Sequence, residues 1–357
     1  MEGEVNNFIV VWVVVLVCLL YCYTIGKFIP KGTTRHLAIS IVTCLFIWFP
    51  LNLNTIHLGG LTSFFIAWLA NFKLILFAYG KGPLSSNPPL PLSRFVITAC
   101  LPIKPIYTTS PLNSRSSVQE IRKTGNKIFL VKVMLFGILL KVYDYLEYIH
   151  PILKMSLYCF HIYFMLEIVL VIVAYVARTL VQMELEPQFD EPYLATSLQD
   201  FWGKRWNLMV TRILHPTIYD PIHSFSTRFM SRKWASFFAV LTTFLVSGLM
   251  HEFIFYNIGR LKPTGEVTCF FLLHGLLVGI EVIIKRAVKG KLSLPHVVSR
   301  PLTLACVLAT SFWLFFPPFL RFNPDVRGCQ ESVAFLEFVT NGRLISPSNA
   351  SCPYLLG

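Results

Sequence analysis

Apolar runs long enough to cross a bilayer recur from end to end of this chain, separated by polar stretches rich in Lys and Arg. A helix rising 1.5 Å per residue needs about 20 apolar residues to cross the hydrocarbon layer. Eight segments meet this pattern, approximately 8–26, 37–52, 61–79, 128–143, 151–177, 235–256, 267–284 and 302–320, the second and fourth being short. A further run, Phe95 to Ile103, is too brief to cross and is flanked by Arg94 and Lys104, which predicts a re-entrant or interfacial helix. The first run has no basic region before it and no small-residue cleavage site after it, so it reads as a retained span. The pattern predicts an all-α polytopic membrane protein of about eight transmembrane helices, in one membrane-embedded domain over 1–357 with a tail over about 321–357. The longest polar insert, Arg178 to Lys233, is broken by apolar and aromatic residues and leaves little room for a soluble domain.

Composition agrees: 55% of residues are hydrophobic and the mean hydropathy is +0.62. The formal charge of +13 would suit nucleic acid, but its placement points to topology instead. Of the 31 Lys and Arg residues, 22 fall in the inter-span loops 27–36, 80–127, 178–234 and 285–301. By the positive-inside rule that face is cytosolic and both termini are lumenal. Two features of the tail agree: the N-glycosylation sequon at Asn349, and Cys329 with Cys352, which could pair only in an oxidising compartment. The other cysteines lie in or beside apolar runs as small hydrophobes, and no Cys/His spacing predicts a metal site.

Polar residues inside apolar runs are costly and need partners or a function. Asn71 and Lys73 interrupt the third span; Asn71, Lys132, Glu167 and Glu281 read as packing or pairing groups, and His161 and His274 are open between a structural role and a cavity lining. His251 stands apart because Ser247 and Gly248, one turn earlier, permit the close approach of a helix or substrate. Just before the span that carries it, the chain gathers Asp200, Phe201, Trp202, Gly203, Lys204, Arg205, Trp206 and Asn207. Aromatic rings suit a membrane interface, cations suit phosphates, and Asp and Asn suit positioning. The segment fits the mouth of a tunnel for a substrate with a charged head and an apolar tail, and equally a plain interfacial anchor.

These residues carry a family resemblance. The run PQFDEPYLATSLQDFWGKRWNLMV from Pro187 to Val210, followed by VSGLMHE from Val246 to Glu252, resembles plant wax synthases of the membrane-bound O-acyltransferase family. The segments LGG at 58–60, WLANFKL at 68–74 and PTGEVTCFF at 263–271 resemble the same group. The resemblance places the signature region at 187–256 and implies that Asn207 and His251 are the catalytic pair. It also implies an endoplasmic-reticulum enzyme that moves an acyl group from acyl-CoA, as co-substrate and without a further cofactor, to a hydroxyl such as that of a long-chain alcohol. Diacylglycerol and sterols are alternative acceptors.

The residues suit that chemistry. A hydroxyl is a poor nucleophile near pH 7, and a neutral imidazole in an apolar wall can act as its base. His251 takes that role, while Asn207 either orients the imidazole or donates to the developing oxyanion. No Ser or Cys sits in a nucleophile motif, which favours direct transfer without an acyl-enzyme. Lys204 and Arg205 are candidates for CoA phosphates or for topology alone; Asp200, Trp202 and Trp206 are candidate substrate contacts beside them. A rival motif within the same class, His215 to Asp220, has the H-x-x-x-x-D spacing of a His–Asp charge pair, with Pro216 and the absence of a following glycine against it. Membrane transport is the reading from a different class, and no internal repeat of spans supports it. One geometric condition follows: His251 lies about 25 Å along a helix from Trp234, so it meets Asn207 only if the 191–210 segment dips into the bilayer or the span is offset.

Overall fold

A computed structural model of the chain describes residues 2–102, 115–181, 188–288 and 294–352. The described residues are helical, with no strand among them. By its internal contacts the chain divides into two units, one built from 1–102 and 188–352, the other chiefly from 103–187. No boundary of this kind is legible in the sequence.

In the first unit, α1 (Gly3–Phe28), α2 (Thr33–Asn52) and α3 (Ile56–Ala78) are long and apolar enough to cross a membrane. The short run expected to be re-entrant is α4 (Leu92–Cys100), with Phe95, Thr98, Ala99 and Cys100 buried; Ile103 lies outside the described residues. In the second unit, α5 spans Arg115–Val142 and α6 Pro151–Val181. The first unit resumes with α7 (Leu208–Leu214), α8 (Arg232–Gly259), α9 (Glu266–Ala287) and α10 (His296–Leu320) and ends with α11 (Pro324–Asn341). Seven helices qualify as spans among the described residues, and they coincide with seven of the eight expected segments. The eighth, 128–143, lies in α5 up to Val142, and that helix begins 13 residues earlier, at Arg115. The polar stretch from Arg115 to Lys127 contains no proline and is rich in helix formers, so the helix runs on into what reads as a loop. The tail, too, is helical, with Pro324 at the start of α11 and Gly342 closing it at φ 68.

Several of the polar residues buried in the spans are paired. Asn71 donates to the carbonyls of Thr43 and Ala67. Lys73, fully buried, donates to the carbonyls of Thr98 and Leu101 at the end of α4, which anchors that short helix against α3. Within the second unit, Lys132 meets Glu167 at 2.6 Å and the Tyr163 hydroxyl at 3.1 Å, while His161 stacks on Tyr143. Elsewhere the long helices expose apolar side chains, Val10 and Val17 on α1 and Met134 and Ile138 on α5 among them, a surface suited to lipid.

The core of the first unit is the α8–α9 hairpin. A Cβ at Gly248 would stand 2.9 Å from the Thr268 backbone, so glycine there sets how closely the two helices approach. The turn between them is fixed at both ends: Arg260 adopts φ 54 and Gly265 φ 80. The Arg260 guanidinium also takes the carbonyls of Leu51 and Leu53.

Candidate active site

His251 faces inward from α8. Its Nδ1 lies 2.8 Å from the Ser247 carbonyl oxygen, one turn earlier. A carbonyl only accepts, so Nδ1 carries the proton and Nε2 presents the lone pair. Three rings fix the imidazole: Phe271 stacks on it at 4.3 Å, Trp68 meets it edge-on at 4.9 Å and Phe315 at 6.2 Å. Trp68 and Phe315 sit in π-helical segments, Ser63–Ala70 and Ser311–Phe315, whose widened turns break the regular register and re-aim side chains. Trp68 is 1% exposed, and its indole N–H has no partner among the described residues. The neighbouring Glu252 accepts from the Thr268 amide in the first turn of α9 and so ties the hairpin rather than facing the ring.

The second part of the site is the segment 188–210. Its ends are sewn together by the backbone, Asp190 N–H to the Arg205 carbonyl and Leu208 N–H to the Gln188 carbonyl, both at 2.9 Å. Arg205 Nε donates to Asp200 at 2.8 Å and its Nη1 to the carbonyl of Asp190. Partial burial opposes ionisation of Asp200, but the Arg205 hydrogen bond, the Thr196 amide and the charges of Arg205 and Lys204 outweigh it and hold the carboxyl below the usual aspartate value. Trp206 stacks on Phe201 and meets Phe189 edge-on. The outer part of the segment is held to α9, where Glu281 accepts from the Gln199 amide and Lys285 donates to Ser197. Trp202 turns inward from the π-helical turn Phe201–Arg205 and packs on Phe244, Phe270 and Phe271. Asn207 adopts φ 40, a left-handed conformation that asparagine tolerates, and its side-chain oxygen caps α7 through the Val210 amide. Its side-chain NH2 has no partner among the described residues.

Trp202 connects the two parts. Its ring centroid lies 5.7 Å from that of Phe271, the ring stacked on His251. Phe271 is in the second turn of α9, about 8 Å from the helix start, so the segment carrying Asn207 reaches the level of His251 within the helices. No hydrogen bond joins Asn207 to His251 among the described residues.

A model of the membrane bound O-acyl transferase family matches residues 185–273, the stretch that holds Asn207, His251 and Phe271. Acyl-CoA–sterol O-acyltransferase 1 of Arabidopsis thaliana is 42% identical over 339 residues, 94% of this chain and 97% of that protein. Long-chain-alcohol O-fatty-acyltransferase of Simmondsia chinensis is 42% identical over 92% of this chain and 94% of its own length. A probable long-chain-alcohol O-fatty-acyltransferase 1 of Arabidopsis thaliana is 43% identical over 94% and 98%. The chain belongs to the membrane-bound O-acyltransferase family.

Among the substrate contacts expected of this acyltransferase, Lys204 alone is exposed and without a hydrogen bond or ion pair among the described residues. Asp200 and Arg205 hold each other, Trp206 packs on its own segment, and Trp202 points to the interior. The rival pair does meet, His215 Nδ1 lying 3.3 Å from Asp220, but both side chains are more than half exposed. Sequence reasoning missed Trp68, Phe271 and Phe315. The first two lie in segments already singled out, WLANFKL and PTGEVTCFF, but nothing in a linear sequence shows that they converge on one imidazole.

Proposed function

We propose that the protein esterifies a long-chain alcohol with the acyl group of acyl-CoA, forming a wax ester, with His251 as the general base. The observation that carries this is the tautomer of His251: with Nδ1 committed to Ser247, the free Nε2 lone pair lies in an aromatic wall of an O-acyltransferase. Nε2 takes the hydroxyl proton as the alcohol oxygen attacks the thioester carbonyl. The C–O bond forms, the tetrahedral oxyanion collapses, the C–S bond breaks, and the imidazolium returns the proton to the CoA thiolate. Asn207 donates through its side-chain NH2 to the oxyanion, a role favoured because its oxygen already caps α7 and Ser247 already orients the imidazole. The buried, unpartnered N–H of Trp68 is a second donor to a substrate oxygen at His251. Lys204, exposed and unpaired, takes a CoA phosphate at the cytosolic face.

The location that goes with this reading is the endoplasmic-reticulum membrane, with both termini lumenal. The disulfide between Cys329 and Cys352 supports an oxidising environment at the C-terminal end. Labelling of cysteines placed at Arg115 and Lys204 in intact microsomes tests the map, which expects both from the cytosolic side.

The relative named for acyl-CoA–sterol acyl transfer makes sterol the second acceptor to examine. Purified protein in detergent, given acyl-CoA with a long-chain alcohol, a sterol and diacylglycerol in competition, should form wax ester predominantly. Predominant sterol ester would replace the alcohol by the sterol, and substrate flux across vesicles without any ester would favour transport.

A further inference from the structure

His274 is fully buried on α9, yet both ring nitrogens are bonded. The Trp202 indole N–H donates to Nδ1 at 3.1 Å, and an indole nitrogen can only donate, so Nδ1 is unprotonated. Nε2 then carries the proton and donates to the Thr310 hydroxyl at 2.8 Å. That hydroxyl donates onward to the Cys306 carbonyl at 2.7 Å. His274 is therefore the opposite tautomer from His251, and neither of its nitrogens is left for a substrate.

These bonds join three elements that meet around His251. Trp202 belongs to the segment that ends in Asn207, and its own carbonyl is held by the Thr211 hydroxyl at 3.0 Å. Phe270 and Phe271, one turn before His274, pack against Trp202, and Phe271 stacks on His251. Thr310 immediately precedes the π-helical segment that supplies Phe315 to the imidazole and to Phe270. Trp202 also joins two apolar clusters, one with Ala195, Phe201 and Val307, the other with Val267, Phe270 and Phe271.

We infer that His274 is a positioning residue for acyl transfer, holding Trp202 and Thr310 so that the Asn207 segment and the aromatic wall of His251 keep one register. The inference rests on the reading of His251 as base. Its action is through Trp202, Phe271 and Phe315, without contact with the reacting atoms.

His274→Phe fills the site but loses both bonds, Trp202→Phe removes the N–H donor, and His274→Asn returns an acceptor where Nδ1 lies. Steady-state kinetics of the full chain in detergent, with acyl-CoA binding measured to show that each variant is folded, compares them. His274→Phe and Trp202→Phe should each lower kcat about tenfold with KM for acyl-CoA within about twofold. The double variant should be no worse than the poorer single one, because the two act through one bond. His274→Asn should recover to within about threefold of the parent, and the pH–rate profile should keep its shape throughout. Multiplicative losses, a His274→Asn variant as slow as His274→Phe, or a displaced pH limb would overturn the inference. Should His274→Phe not fold, Trp202→Phe with unchanged kcat would overturn it alone. Activity surviving in His251→Ala would instead defeat the reading of the base.

Discussion

The indole of Trp68 meets the imidazole of His251 edge-on, ring centroids 4.9 Å apart at 80°, with its N–H unpartnered although the residue is buried. A buried donor without a partner costs about 1–3 kcal/mol, and a substrate oxygen at the imidazole would remove that cost during catalysis. Trp68→Phe keeps an aromatic ring and deletes the donor. It should lower kcat by about tenfold or more while leaving KM for acyl-CoA unchanged, as single-turnover rates would show. Unchanged turnover would assign Trp68 to packing alone.

The two functions of the Asn207 side chain can be separated. Asn207→Asp retains the oxygen that caps α7 but loses the NH2 donor, whereas Asn207→Gly suits φ 40 and loses both. If donation to the oxyanion matters, both variants should lose about 10² in kcat, and Asp should retain the thermal stability that Gly loses. A fully active Asp variant would reduce Asn207 to a helix cap.

The Asp200–Arg205 clasp should be sensitive to acid in one direction. Its environment holds the Asp200 carboxyl below the ordinary value, so the folded state favours the ionised form. The contribution is present above the unfolded value and is lost as pH falls through the lowered folded value. Asp200→Asn should therefore cost about 1 kcal/mol at neutral pH, roughly 2 °C in melting temperature. That gap should persist down to about pH 4 and close only below it. A gap that closes between neutrality and pH 5 would contradict the assignment.

The sequon should be used if the C-terminal end is lumenal. Asn349 is exposed in the short turn Pro347–Asn349, between Ser348 and the buried Ala350. Glycosidase treatment of protein from a eukaryotic host should increase gel mobility, and Asn349→Gln should abolish the shift. No shift, together with labelling at Lys204 from the lumenal side, would reverse the topology.

Much of this arrangement was legible in the sequence, for identifiable reasons. Span positions follow from apolar runs, and seven coincide with helices of spanning length because hydrocarbon demands helix and length together. Asn71, Lys132, Glu167 and Glu281 were expected to be paired because an unpaired group in lipid is costly, and each has a partner. The depth of the 201–207 segment was not legible, since hydropathy assigns a polar stretch to the surface. Trp202 reaches His274 only because the polar atoms around it are satisfied internally, Asp200 by Arg205 and the turn by its own backbone. The start of α5 at Arg115 and the convergence of Trp68, Phe271 and Phe315 were hidden for a related reason: neither leaves a periodic trace in one sequence.

The central claim is that His251 Nε2 removes the acceptor's proton. The direct measurement is single-turnover ester formation by purified His251→Ala with bound acyl-CoA and a long-chain alcohol, alongside acyl-CoA affinity. The variant should bind acyl-CoA as the parent does, because the base touches the acceptor hydroxyl and not the CoA head, and should form ester at least about 10²-fold more slowly. Near-parental ester formation by His251→Ala would contradict the account and pass the role to another group, the exposed His215–Asp220 pair being the first to examine.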